Sequence, residues 1–187
     1  VNSVNDEPSF DMGSNLSIAE DPVGTGFTTQ ADGTEVTHAA WATNISAGTA
    51  GTAGITGTPG DESGQVLTFE LSASNPGLFV AGGEPAIAKT AGGTWDLTYK
   101  LKLDAYGQTN VTLLSLSDTG GTDRGGDDTV NEDDTARTSF TITVRADNDP
   151  PSFVMGGDQH VADNAGSQQV DLWATNIRPG PIGSEAI

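Results

Sequence analysis

Cysteine is absent from this chain, which excludes disulfides and thiolate metal sites. That fits the cytosol, or a large secreted bacterial protein that uses metal ions in place of cross-links. Positive charge is scarce: 7 Lys and Arg stand against 26 Asp and Glu, a net charge of −19. Nucleic acid and anionic membrane are poor partners for such a surface. Divalent cations, a saline habitat and plain solubility are competing reasons for the acidity, and we place cation binding first. No apolar run reaches membrane-spanning length, and no signal peptide is visible. Aromatics are few, with 3 Trp, 2 Tyr and 6 Phe, and most of them are needed for a core. No G-x-S-x-G, H-E-x-x-H or phosphate-cradling loop occurs, so no enzymatic activity is expected.

What the chain does contain is an internal repeat. Its opening V-N-S-V-N-D-E-P-S-F returns as V-R-A-D-N-D-P-P-S-F from Val144 to Phe153, at an offset of 143 residues. W-A-T-N-I at Trp41–Ile45 returns at Trp173–Ile177 at an offset of 132, so the first copy carries 11 extra residues. The reading is a tandem array seen over about one and a third repeats, with N-D-x-P-x-F as the joint. Residues 1–9 are a joint from a preceding repeat, 10–146 one complete repeat, and 147–187 a joint plus the first strands of an incomplete second repeat. One repeat has the length of an ordinary domain. The second copy is too short to build its own core, so its strands must borrow a partner from a longer chain or a neighbouring molecule.

The hydrophobic pattern is that of strands, with no convincing helix. Trp95, Leu97, Tyr99, Leu101 and Leu103 alternate with polar residues through Asp104, as in a strand buried on one face and wet on the other. Similar alternation marks Leu16 and Ile18, Val36 to Trp41, Leu67 to Leu71, Val111 and Leu113, and Phe140 to Val144. About seven strands punctuated by Gly, Asn, Asp and Pro fit an all-β, two-sheet antiparallel sandwich. Residues 46–60 and 118–134 read as loops, the second carrying seven acids. His38 and His160 lie in strand-like contexts and read as plain sheet residues. Trp41, Trp95 and Trp173 read as core anchors.

The motifs resemble cadherin-like repeats, most closely the cadherin/immunoglobulin-like tandem repeats of large bacterial surface adhesins. Leu16–Asp21 followed by Val23-Gly24-Thr25 is similar to the opening strand that ends in P-E-N before G-T. Asp61–Gln65 resembles the D-x-D-x-G-x-N loop, Leu103-Asp104 the L-D-x-E position, and Asp118-Thr119-Gly120 the late D-x-G. Asp147-Asn148-Asp149 with Pro151 and Phe153 resembles the D-x-N-D-N-x-P-x-F joint, one residue shorter. Gly60, Gly107 and Ala19 stand where the family pattern has other residues.

The resemblance implies a Greek-key sandwich and calcium binding at the joints, with fewer ligands per site. Calcium takes about six to eight oxygen ligands from carboxylates, amides and main-chain carbonyls. One implied site joins Glu20 and Asp104 to Asp147, Asn148 and Asp149, where Val144 leaves the sandwich. The matching half-site at the other end joins Glu62 and Asp118 to Asn5 and Asp6.

The expected function is an extracellular or cell-surface structural and adhesive array, stiffened by Ca2+ and partnered by neighbouring repeats or subunits. A fibre formed by strand addition between subunits is one version, and a cell surface or glycan is a further candidate partner. The alternative is a carbohydrate-binding accessory module.

Overall fold

A computed structural model describes residues 5–20, 33–48, 62, 64–120, 129–130, 138–147 and 151–180. Within them the chain is all-β apart from a 3-10 turn at Pro76–Leu78. One sheet is built from β1 (Ser9–Asp11), β3 (Glu35–Ser46), β6 (Trp95–Lys100) and β5 (Ala86–Lys89), in that spatial order. The facing sheet runs β2 (Leu16–Ala19), β9 (Ser139–Arg145), β7 (Gly107–Ser117), β4 (Thr68–Ala73), with β8 (Thr129–Val130) also paired to β7. Strands β10 (Ser152–Met155) and β11 (Ala174–Arg178) form a separate two-stranded sheet.

Period-two patterning places the core between the two larger sheets. In β6, Leu97 and Tyr99 turn inward; in β9, Phe140, Ile142 and Val144 do so. Strand β7 buries Thr109, Val111 and Leu113, then shifts phase so that Leu116 is the next residue inward. The shift coincides with a break in the β4–β7 register, where Glu70 pairs Ser115 and Leu71 pairs Leu113, leaving Leu114 as the extra residue of a bulge. Aromatic contacts cross between the sheets: Trp41 on Phe140 (4.3 Å between ring centres) and Phe10 edge-on to Phe69 (5.0 Å).

Four sequence expectations change. The alternation through Leu103 predicts a strand ending near Asp104, but β6 ends at Lys100. Leu101 makes a lone bridge to Phe79, and Leu103 is exposed. Leu103 and Asp104 form a turn, in which Asp104 adopts a left-handed φ of +55°. The sandwich is also not wholly antiparallel: β2 lies parallel to β9, with Leu16 opposite Ile142 and Ala19 opposite Arg145. The stretch read as an acidic loop contributes β8, with Val130 opposite Leu116. His160 is exposed and outside any strand.

The small sheet reproduces the β1–β3 pair position by position. Ser9 faces Ser46 and Asp11 faces Thr43, with a register break between them; Ser152 faces Arg178 and Val154 faces Thr175, with the same break. Ala40 and Asn44 have φ near +50°, as do Leu172 and Asn176. A Cβ on Gly13 would collide with Trp41, and a Cβ on Gly156 would collide with Trp173. The Trp41 indole N–H donates to Ser14 O at 3.3 Å, and that of Trp173 to Gly157 O at 3.1 Å.

Candidate cation sites at the two ends of the sandwich

Strand directions sort the acidic residues to opposite ends. Asp118 follows β7 and Glu62 precedes β4, whose Thr68 pairs with Ser117, so both lie at one end. There they meet the segment leading into β1. The Asn5 side-chain N–H donates to Asp118 Oδ1 (3.0 Å), and the Asp6 backbone N–H donates to Glu62 Oε1 (2.9 Å). Gln65 donates through Nε2 to Asn5 Oδ1 (2.7 Å), and the Gly120 backbone N–H donates to Asp118 Oδ1 (2.7 Å).

Three of these side chains retain an oxygen with no hydrogen bond among the described residues. Glu62 is 5% exposed and Asp118 9%. Glu62 Oε2, Asp118 Oδ2 and Gln65 Oε1 are buried without a hydrogen-bond partner among the described residues. Burying an uncompensated carboxylate costs several kcal/mol, on the order of the desolvation of one ion, so these oxygens call for a positive partner. Glycines make the room. A side chain at Gly48 would overlap Glu62 Oε2, and one at Gly120 would overlap Asn5 Oδ1.

The donor set is two carboxylates and an amide, all oxygen, which is the chemistry of a hard cation. Among the described residues no three Asp, Glu, His or Cys side chains converge as a metal-binding group. A cation here would therefore depend on Asn5, Gln65 and main-chain carbonyls as well as on Glu62 and Asp118.

At the opposite end Glu20, 3% exposed, closes the parallel β2–β9 pair. Its N–H donates to Arg145 O (2.9 Å), and its Oε1 accepts from the Asp147 N–H (2.7 Å). Asp104 lies at this same end, in the turn leading to β7, whose Gly107 pairs with Val144. Asn148 and Asp149 lie outside the described residues. Glu20 and Asp147 are thus brought into contact, with Asp104 at the same end. Glu62, Asp118, Asn5 and the Asp6 main chain form one connected network at the other.

Gln65 and the two crowded glycines were not among the expected site residues. Gln65 stands in the segment Asp61–Gln65 that carries the loop resemblance, so its position was the available signal. Gly120 likewise stands in the Asp118-Thr119-Gly120 motif, whereas Gly48 leaves no such signal, because its role is visible only as a collision.

Away from the ends, His38 Nε2 lies 2.9 Å from the Tyr99 hydroxyl, and the two rings stack. Burial lowers the His38 pKa below 6.5 and raises that of Tyr99. A cleft of about 530 Å³ opens between β4 and β5 over Phe69, Ile87 and Trp95, with Lys89 at its rim. No helix among the described residues is long and apolar enough to cross a membrane. No protein-family model, no curated protein and no solved structure matches this chain.

Proposed function

We propose that the chain is a stretch of an extracellular structural and adhesive array of cadherin-like modules, in which calcium at the module ends fixes consecutive modules relative to one another. The observation that carries this reading is the buried network at the Asn5 end, where Glu62 Oε2, Asp118 Oδ2 and Gln65 Oε1 lack hydrogen-bond partners among the described residues. A bound cation supplies the missing positive charge to those oxygens. Asn5 and Asp6 belong to the joint segment, so holding them against Glu62 and Asp118 couples the joint to the module body. Glu20 ties the outgoing joint at Asp147 in the same sense. The recurrence of the β1–β3 register in β10–β11 supports a tandem arrangement with neighbouring repeats as partners.

Thermal unfolding in excess EDTA, in millimolar calcium and in millimolar magnesium tests the proposal. Extracellular calcium modules bind with dissociation constants of about 10⁻⁴–10⁻³ M, so several millimolar calcium contributes roughly 1–3 kcal/mol per site. For a chain of this size that is a rise in Tm of roughly 2–10 °C. The rise is expected with calcium and not with magnesium. Superimposable curves in EDTA and calcium would remove the metal and leave the acids a solubility role.

The second reading, a carbohydrate-binding module, rests on the cleft over Phe69 and Trp95, where a sugar ring has an aromatic floor. Saturable glycan binding that is lost on Trp95→Ala would favour it.

A further inference from the structure

The apolar face of the β10–β11 hairpin is exposed, and its counterpart within the same chain shows what covers such a face. In the β1–β3 pair Phe10 packs on Phe69, Trp41 on Phe140, and Met12 and Ile45 against the core. The corresponding residues of the β10–β11 pair have the same identity: Phe153, Trp173, Met155 and Ile177. Yet Phe153 is 56% exposed, Met155 63% and Ile177 72%. A face with the same side chains, register and backbone angles is matched by the same kind of surface.

We propose that β10–β11 is one wall of a second sandwich, completed by a strand set of the same kind as β4, β6, β7 and β9 carried in the same chain. This rests on the tandem-module part of the proposed function and is independent of its calcium part.

The correspondence also fixes a register. In the first module β3 extends upstream of Trp41 and pairs with β6, Glu35 opposite Lys100 and His38 opposite Leu97. The matching stretch Ser167–Val170 is exposed and outside any strand. In the completed module it becomes the upstream half of β11, with Ser167 opposite the counterpart of Lys100 and Val170 opposite the counterpart of Leu97.

A second folded copy of the chain is a poor occupant. Its own slot already holds Phe10, Met12, Trp41 and Ile45, tethered in place. Docking Phe153, Met155, Trp173 and Ile177 there would exchange identical side chains, with no gain in burial and the full entropy cost of association.

The test is a chain in which residues 1–178 are followed directly by a second copy of residues 47–147, since Arg178 corresponds to Ser46. Amide hydrogen exchange at Ser167–Val170 is expected to slow at least about a hundredfold relative to the parent chain. Trp173→Ala in the extended chain is expected to lower one of two unfolding transitions and leave the other in place. Unchanged exchange at Ser167–Val170 overturns the proposal. So does a parent chain that self-associates with concentration and loses this behaviour on Phe153→Ser, because the partner is then a second copy.

A parent chain carrying Asp11→Val with Ser46→Arg tests the same idea without relying on the extension. These two changes give the β1 and Trp41–Ser46 segments the sequence of their counterparts at Phe153–Gly156 and Trp173–Arg178. Retained cooperative unfolding is expected, and loss of it overturns the proposal. Exchange is measured in EDTA and in calcium. Protection in both without a calcium shift keeps this inference and removes the metal, whereas a calcium shift without protection does the reverse.

Discussion

Glu20 grips the outgoing chain: its Oε1 accepts the Asp147 backbone N–H at 2.7 Å, across 127 positions of sequence. The same residue's N–H bonds Arg145 O, so it holds the end of β9 at two points. A hydrogen bond to a charged group contributes about 1.5–3 kcal/mol. Glu20→Ala is therefore expected to lower stability by about 1–3 kcal/mol, and to speed exchange at the Asp147 amide. Glu20→Gln, which keeps the acceptor, is expected to lose less. Equal losses in the two variants would mean that packing, not this bond, is what Glu20 provides.

Glu62 and Asp118 give a prediction whose sign depends on the solution. Without a cation, each carries a buried oxygen with no hydrogen bond to the described residues. Glu62→Gln and Asp118→Asn relieve that charge and are expected to raise stability in EDTA by about 1 kcal/mol. In millimolar calcium the same variants are expected to be less stable than the parent chain. Denaturant titrations under both conditions check this, and variants that move the same way in both would sink the metal-ligand role.

The glycines of the Asn5 end are expected to tolerate nothing larger. Gly120→Ala drives a methyl into Asn5 and Gln65, and Gly48→Ala drives one into Glu62 at a backbone φ of +140°. Overpacking of this kind costs about 1–3 kcal/mol. Gly64, where an added Cβ meets nothing within 4 Å, is the control, and Gly64→Ala is expected to be near neutral. Urea unfolding of the three variants side by side is the check.

His38 sets a pH dependence. Burial holds its pKa below 6.5 in the folded chain, while the unfolded chain takes up a proton near 6.5. The unfolded state thus binds more protons as pH falls through that value, and stability declines until the folded-state pKa is passed. Replacing the ring by His38→Gln removes this contribution. The stability difference between parent and variant is expected to shrink from pH 7.5 to pH 5. Parallel pH profiles would show that burial does not depress the pKa of this histidine.

The strands that sequence alone located best were those whose buried and wet residues alternate without interruption, as in Trp95–Lys100 and Phe140–Val144. Alternation says nothing about where a chain turns, which is why Leu101–Asp104 read as more strand: Leu103 keeps the period, but it lies with Asp104 in a turn beyond the end of β6. The parallel placement of β2 was invisible for a related reason. Leu16 and Ile18 reveal a face but not a direction, and it is the structure that shows β2 running parallel to β9. Of the residues expected at the module ends, Glu62, Asp118, Asn5 and Asp6 come together because strand polarity fixes which loops share an end. The depth of their burial was not legible. It depends on Gly48 and Gly120 letting the chain approach closely, a property of three-dimensional packing.

The parallel pairing of β2 with β9 governs how the module carries tension. The Asn5 and Asp147 ends lie at opposite poles, and traction between them drags β2 one way along β9 and β9 the other. The four facing pairs from Leu16–Ile142 to Ala19–Arg145 then resist together as a lap joint, rather than parting one at a time like a zip. Single-molecule pulling between the two ends should meet one abrupt rupture force, and weakening β2 with Ile18→Gly should lower that force more than it lowers the equilibrium stability. The strand that looks least secure at the sheet's margin becomes the mechanical clamp.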